Sequence, residues 1–460
     1  MLLRSLLTLK RTFLAAVVVL ATSALLARFS PSSRLPPLTR SRAMSTTRNV
    51  VVVGGSYVGQ MAAKELIETL PKDHRVVVVD RNSHFGHLFA YPRFAIAPTF
   101  EHKAFLPFHP MLPAPHVIVQ AEATAIEGGK VKLDRPVKLG EGGEGVKEIV
   151  YEALVLATGT KLSKPGTLST EKKDSIAYLQ SVQSKLKEAK NIVIVGGGAV
   201  GVQMATDLAI LYPSSCKNIT VIQSRRLMPR FHPKLNEIVL ARFEELGIKT
   251  ELGVRAEIPE GGYESLNEGE GGGEVVLQDG RRIKADYVIH ALGQTPNSQL
   301  LQSSTPSAVL PNGFVRVNKS LLVDPVDGRE KEKLGGRVWA LGDIAESGAP
   351  KAARPAMQQA QLVAKSVAKR LNGEGPEGDE TYSPGPAAIH LTLGIVESLI
   401  FRNPATPPIL NPATNNLDWP EDAQPEFFWK DDGKLDMGID GVWERRVPGF
   451  VGGVEERYHL

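Results

Sequence analysis

Clustered glycines and two strand-end acids are the residues of this chain best placed to do chemistry. The stretch Val50 to Leu66 reads VVVVGGSYVGQMAAKEL, and Ile192 to Leu208 reads IVIVGGGAVGVQMATDL, a near-copy. In each, β-branched residues end at glycines that pass directly into an alanine-rich helical pattern. One glycine permits a tight turn, a second lets the backbone approach a pyrophosphate, and a third lets the helix pack close to the strand. The amide-rich start of the helix then faces the phosphates. Gly196, Gly198 and Gly201 fill all three positions of the second copy, whereas the first has Gly54, Gly55 and Gly59 with Ser56 in the middle.

The two helices lead into strands with different ends. After the first, RVVVVD ends at Asp80, with Arg81 next. This is about 20 residues past the last glycine, where a carboxylate accepts hydrogen bonds from a ribose. After the second, NITVIQSRR puts Gln223 at the strand end, followed by Ser224, Arg225 and Arg226. No acid stands there to favour an unphosphorylated ribose, and two arginines suit a 2′-phosphate. This site therefore admits NADPH, NADH or both. Three further strand-to-turn segments carry small or acidic residues: YEALVLATGT with Ala157, Thr158 and Gly159, DYVIHALGQTPN with Gly293, and VWALGDIA with Gly342 and Asp343. Asp343 stands at the ligand-facing carboxyl end of a buried strand. It also suits a helix N-cap, since Lys351 to Leu371 has helical character.

Two strand, turn and helix units require parallel sheets with helical crossovers, an α/β architecture. Between them, residues 116 to 139 alternate like hairpin strands, and a charged helix is expected from Lys172 to Lys190. After Asp80 the chain is aromatic and basic, and His84, His87, His102 and Lys103 read as packing or surface residues. From Gly373 the composition shifts to Gly, Glu and Pro, which marks a separate cap. Within it, Ile389 to Phe401 suits a pair of core strands, and Phe427, Phe428, Trp429 and Trp443 form one aromatic group.

The 460 residues are 42% apolar and 23% charged, values of a folded globular protein of two to three domains. A single cysteine, Cys216, excludes an intrachain disulfide and a redox-active CxxC pair. There is no zinc-like Cys/His spacing. The net charge of +4 is concentrated in residues 1–43, which hold Arg4, Lys10, Arg11, Arg28, Arg34, Arg40 and Arg42 and no acid. The remainder is mildly acidic, which argues against nucleic acid as a partner. Phe13 to Ala27 is apolar but short of the roughly 20 residues that span a bilayer comfortably. The leader thus reads as a mitochondrial presequence, a signal segment or a membrane anchor, unless Met44 is the working start and the protein is cytoplasmic.

Taken in order, these motifs resemble the two-dinucleotide flavoproteins of the pyridine-nucleotide-disulfide oxidoreductase superfamily over roughly residues 48 to 370. The nearest likeness is to the apoptosis-inducing-factor-like branch that includes the ferroptosis suppressor, with type II NADH:quinone dehydrogenases more distant. The resemblance implies FAD on a discontinuous domain of residues 48–165 and 285–372. It also implies an inserted NAD(P)H domain of residues 166–284 and a small α+β cap of residues 373–460, with residues 1–47 as leader. By that match Gly54, Gly55, Ser56, Gly59, Asp80 and Arg81 hold the adenylate half of FAD, Ala157 to Gly159 lie beside it, and Gly342 and Asp343 meet its central portion. Gly196, Gly198, Gly201, Gln223, Arg225 and Gly293 hold NADH or NADPH. Lys351 matches a lysine beside the flavin ring, and Gln358 and Gln359 loosely resemble quinone-site glutamines. With no cysteine pair, electrons must leave to an external acceptor. A quinone reached from a membrane surface is implied. The branch name suggests the alternative of an NAD(P)H-sensing flavoprotein that signals cell death through a partner.

Overall fold

The computed structural model describes residues 48–459 without 110, 214, 270 and 271, so the leader and its candidate roles lie outside the described residues. Strand β1 (Arg48–Val53) is a valine run whose Val50, Val51 and Val52 are fully buried. A strand covered on both faces belongs in the middle of a parallel sheet. Helix α1 (Tyr57–Thr69) carries the chain over to β2 (His74–Asp80), which pairs in parallel with β1 from Arg48 and His74 to Val53 and Val79. Strand β3 (Val117–Gln120) extends this edge, an antiparallel three-stranded excursion fills residues 123–150, and β4 (Ala153–Leu156) adds on the other side of β1.

The chain then leaves the first sheet. Helix α2 (Lys172–Glu188) precedes a second unit of β5 (Asn191–Val195), α3 (Ala199–Leu211), β6 (Asn218–Gln223), β7 (Lys249–Leu252) and β8 (Tyr287–His290). These strands form a parallel sheet in the order β7-β6-β5-β8, with helix α4 (Pro233–Glu245) between β6 and β7. Because β8 pairs with β5, residues 285–290 belong to the inserted unit, and the expected boundary at 284/285 moves past His290. The Tyr-Val-Ile-His run reads equally well as a strand of either sheet, which is why its pattern alone misplaces the boundary.

Outgoing and returning segments, Thr160–Leu162 and Gln294–Pro296, pair antiparallel as a two-stranded ribbon between the units. Strand β9 (Val338–Ala340) rejoins the first sheet, giving the order β9-β4-β1-β2-β3, and helix α5 (Ala353–Leu371) packs against α1. Beyond it, β10 (Ala388–Thr392) and β11 (Ser398–Arg402) form the expected antiparallel pair. A small hairpin of β12 (Ile409–Leu410) and β13 (Leu417–Asp418) comes next. Strand β14 (Glu426–Lys430) adds to β11, and α6 (Ile439–Arg446) closes the cap.

The aromatic group expected in the cap is divided. Trp443 is fully buried against Phe450 and Tyr458, while Phe427, Phe428 and Trp429 lie exposed on the edge strand β14. The strand reads Glu-Phe-Phe-Trp-Lys, and its three central aromatics outweigh the charged ends in the pattern, although the chain pairs it on one side only. Among the described residues no helix is long and apolar enough to cross a membrane.

Candidate active site

The two glycine turns are built alike. At Gly54, φ is +105°, and a Cβ there would lie 2.4 Å from the Ala157 carbonyl oxygen; at Gly196, φ is +120°, and a Cβ would lie 2.2 Å from the Ala291 carbonyl oxygen. Both conformations are open to glycine and strained for other residues. A Cβ on Gly59 would meet the Gly54 carbonyl oxygen at 1.7 Å, and one on Gly201 the Gly196 carbonyl oxygen at 1.9 Å. These third glycines therefore set the helix-to-strand approach. Gly198 is different: nothing lies within 4 Å of its missing Cβ, which leaves room beside the start of α3 for a ligand.

Ser56 occupies the matching position with φ −76° and ψ −162°, against −85° and −173° at Gly198. A serine adopts that geometry without strain. Its side chain makes no capping hydrogen bond to α1 and lines a cleft of about 220 Å³ together with Gly54, Gly55, Asp80, Arg81, Ala157 and Thr158. The Asp80 carboxylate is 7% exposed and accepts from the Gly55 amide at 2.5 Å and the Asn82 amide at 2.7 Å. Burial pushes this carboxyl up, and the Asn82 and Gly55 amides hold it down. Oδ1 also accepts from Asn82 Nδ2 at 2.8 Å, so Oδ2, bonded to the Gly55 amide alone, is the oxygen that keeps a lone pair for a ribose hydroxyl. At the second site, Gln223 Oε1 accepts from the Gly197 amide at 2.8 Å, so an uncharged amide fills the place that Asp80 fills in the first.

The ribbon joins the two sites directly. Thr158 Oγ1 donates to the Asn297 carbonyl at 2.9 Å, Asn297 Nδ2 donates to the Thr158 carbonyl at 2.8 Å, and Ser163 Oγ donates to the Leu292 carbonyl at 3.1 Å. Gly159 (φ +60°) and Gly293 (φ +32°) flank it, each with open space at its missing Cβ. The turn ending β4 and the turn ending β8 are thus held side by side.

After β9, Gly342 takes φ +74°, and its amide donates to Gln359 Oε1 at 2.7 Å. Gln359, 1% exposed, also donates to Ser347 Oγ at 3.0 Å. It therefore braces the Asp343 turn, while Gln358 is exposed. Burial pushes the Asp343 carboxyl up, opposed by Lys351 and Arg230. Asp343 does not cap α5, whose N-cap is Ala352. Lys351 is not a solvated lysine. Its side chain is 11% exposed, and its ammonium donates to the Ala345 carbonyl at 2.6 Å, lies 3.6 Å from Glu346 and sits 4.1 Å from the centre of the Phe314 ring. Burial lowers its pKa, and Glu346 and Asp343 oppose that shift.

Several residues fall elsewhere than their types suggested. Arg225 Nη1 donates to the Asn415 carbonyl at 2.7 Å, and Arg226 pairs with Asp418 at 3.0 Å and with the Leu417 carbonyl, so both arginines of the second site are engaged by the β12–β13 hairpin. His102 and Lys103 meet Glu455 at 2.6 and 3.0 Å. His87 Nδ1 lies 2.6 Å from Tyr57 Oη, and burial lowers this imidazole to about 4. Sequence reasoning missed Arg93, 1% exposed, which donates to Asp207 on α3 at 2.5 Å and to the carbonyls of Gly394 and Lys434. An arginine in an otherwise apolar YPRFAIA run was the only local sign.

The family described as pyridine nucleotide-disulphide oxidoreductase matches residues 44–360. The chain belongs to it. Fe-regulated protein 8 of Mycosarcoma maydis is 31% identical over 418 residues, covering 87% of this chain and 95% of that one. Ferroptosis suppressor protein 1 of Homo sapiens is 27% identical over 357 residues, covering 75% and 86%. Within the family the chain thus falls in the apoptosis-inducing-factor-like and ferroptosis-suppressor-like branch. Among solved structures, the sulfide:quinone oxidoreductase of Aquifex aeolicus superposes with a TM-score of 0.62 at 18% identity over 86% of this chain and 90% of that one, a likeness of fold. The protein is an α/β flavoprotein-type oxidoreductase whose relatives use FAD and NAD(P)H. The disulphide in the family's description has no counterpart here, because Cys216 is exposed and has no second cysteine to pair with.

Proposed function

We propose that the protein oxidises NADPH or NADH through FAD held in its first unit and delivers the electrons to an external quinone-class acceptor. The observation that carries this reading is the pairing of two glycine turns, one on each sheet, through the ribbon of Thr160–Leu162 and Gln294–Pro296. Two dinucleotide cradles fixed to one ribbon hold donor and cofactor in a set relation, so orientation is established before the reaction begins. FAD, when bound, supplies the ring that takes a hydride from a nicotinamide and passes electrons on.

The chain's own groups divide the remaining work. Asp80 would accept from the ribose, Ser56 Oγ and the first amides of α1 would hold the pyrophosphate, and the small residues Ala157 to Gly159 would leave room for it. Lys351, next to Asp343 and largely shielded from water, puts a positive charge where negative charge develops, which is worth more in such a site than in solvent. The lone cysteine leaves no dithiol relay, so the acceptor must itself enter. The resemblance to quinone-reducing relatives supports the acceptor class, and the basic, apolar leader supports delivery to a membrane surface or mitochondrion.

Purified holoprotein should be yellow and bleach anaerobically with NADPH or NADH, and a soluble quinone should restore the colour at a catalytic rate. A protein that cannot be reconstituted with FAD would end this reading. Bleaching without turnover against any quinone would support the NAD(P)H-sensing alternative. Fractionation of cells expressing chains with and without residues 1–43 tests the address.

A further inference from the structure

We propose that the C-terminal β12–β13 hairpin sets the choice between NADPH and NADH, with Asp418 supplying from the cap the acid that the end of β6 lacks. This inference rests on the second unit holding a pyridine nucleotide.

At the end of β6 the usual place of a discriminating carboxylate is taken by Gln223, which is occupied with the Gly197 amide. Past it the backbone carries Arg225 and Arg226, and the charges of Arg230 and Arg255 are near enough to be felt at Arg225. Left alone, this locus would draw a phosphate monoester strongly. The hairpin intervenes. Asp418, 192 residues from Arg226 in sequence, pairs with its Nη1 at 3.0 Å, and the Leu417 carbonyl accepts from Nη2. The other Asp418 oxygen accepts from Asn411 Nδ2 at 3.1 Å, which fixes the carboxylate to the hairpin's own turn. Arg226 is thereby 15% exposed and neutralised, while Arg225 gives one donor to Asn415 and keeps the rest.

Two features mark the junction as built to change partners. Arg226 Nε and Asn416 Oδ1 are both buried without a hydrogen-bond partner, and leaving such groups unmet costs free energy that a ligand can recover. Asn415, whose carbonyl holds Arg225, stands at φ +54°, in the left-handed region that few side chains occupy. A 2′-phosphate entering beside Gln223 would compete with Asp418 for Arg226, whereas an unphosphorylated ribose meets only Gln223 and Arg225. Through Arg226 the hairpin is therefore an internal rival of the 2′-phosphate.

The test uses the full-length holoprotein and two adenosine fragments, 2′,5′-ADP and 5′-AMP, whose binding is read by calorimetry and needs no turnover. Asp418→Asn should tighten 2′,5′-ADP by about tenfold, the effect of freeing one charge-assisted partner, and leave 5′-AMP within about twofold. Arg226→Ala added to that variant should remove the gain. A ratio of affinities unchanged in Asp418→Asn overturns the proposal, and so does a gain that survives loss of Arg226, which would mean a loosened hairpin rather than a released arginine. If the wild-type protein binds neither fragment, the dinucleotide reading of this unit falls first and takes the proposal with it. If both bind while quinone turnover fails, only the acceptor reading is lost.

Discussion

Gly198 and Gly201 are three residues apart and do different work. A methyl on Gly201 would meet a main-chain oxygen, and one on Gly198 would enter empty space at an ordinary φ of −85°. Gly201→Ala should therefore lower the melting temperature of the unliganded protein. Gly198→Ala should leave it unchanged and instead weaken NAD(P)H by about tenfold or more, as an obstructed backbone approach to the pyrophosphate requires. Thermal denaturation with and without nucleotide separates the two. Lys351→Ala should retain FAD in full while slowing one half-reaction on the order of 10²-fold, and Lys351→Arg should recover part of that loss. The ammonium has a lowered pKa, so its charge is present at low pH and lost as pH rises through that lowered value. The rate should fall on the alkaline side at a pH below that of an ordinary lysine, and this limb should vanish in Lys351→Arg, as a stopped-flow pH profile would reveal.

The strand, turn and helix segments were legible because everything that specifies them is local. Valine runs name buried parallel strands, and a glycine's spacing names its turn, so β1, α1, β5 and α3 could be placed from the chain alone. Arg225 and Arg226 were also found, but their partners could not be, since Asn415 and Asp418 stand 190 and 192 residues downstream on a hairpin with no motif. Ser56 looked like a defect in the pattern, and only its dihedral angles identify it as a fitting substitute. Arg93 is the clearest case of long-range information. It links the loop after β2 to α3 and to two cap carbonyls, over separations of up to 341 residues. Burial pushes the Asp207 carboxyl up to about 6, against the pull of the guanidinium. Arg93→Ala should leave that carboxylate buried and unpaired and destabilise the protein by about 3–5 kcal/mol. Arg93→Met with Asp207→Leu should recover much of the loss in chemical denaturation, since apolar replacements remove the desolvation cost of both charges.

The largest core belongs to no single unit. Phe85, Phe94 and Leu106 from the first, Leu208, Val239 and Phe243 from the second, and Leu399, Phe401 and Trp443 from the cap lie in one contiguous cluster. Three modules that share one interior should unfold together, so calorimetry of the holoprotein should give a single transition, with flavin release and loss of cap fluorescence at the same temperature. Separate transitions would show that the shared cluster is weaker than the cores of the individual sheets. Acid should loosen this region through His87. Its imidazole is held near 4 when folded and titrates near 6.5 when unfolded, so the unfolded chain binds more protons between those values. Stability is then whole above about pH 6.5 and drains away as pH falls toward 4, a slope that His87→Phe should reduce.

Tyr458, 1% exposed against Trp443 and Phe450, closes that cluster from the last turn of the described chain. A ribosome adds roughly 5–20 residues per second and hands over the amino-terminal sheet long before this tyrosine. Both dinucleotide sheets must then wait, with part of their apolar surface uncovered, until α6 and Tyr458 have been made and can seat. Until then the nascent chain should be prone to aggregate. A stop codon anywhere in the cap's stretch of the message should yield not a shorter enzyme but an insoluble one.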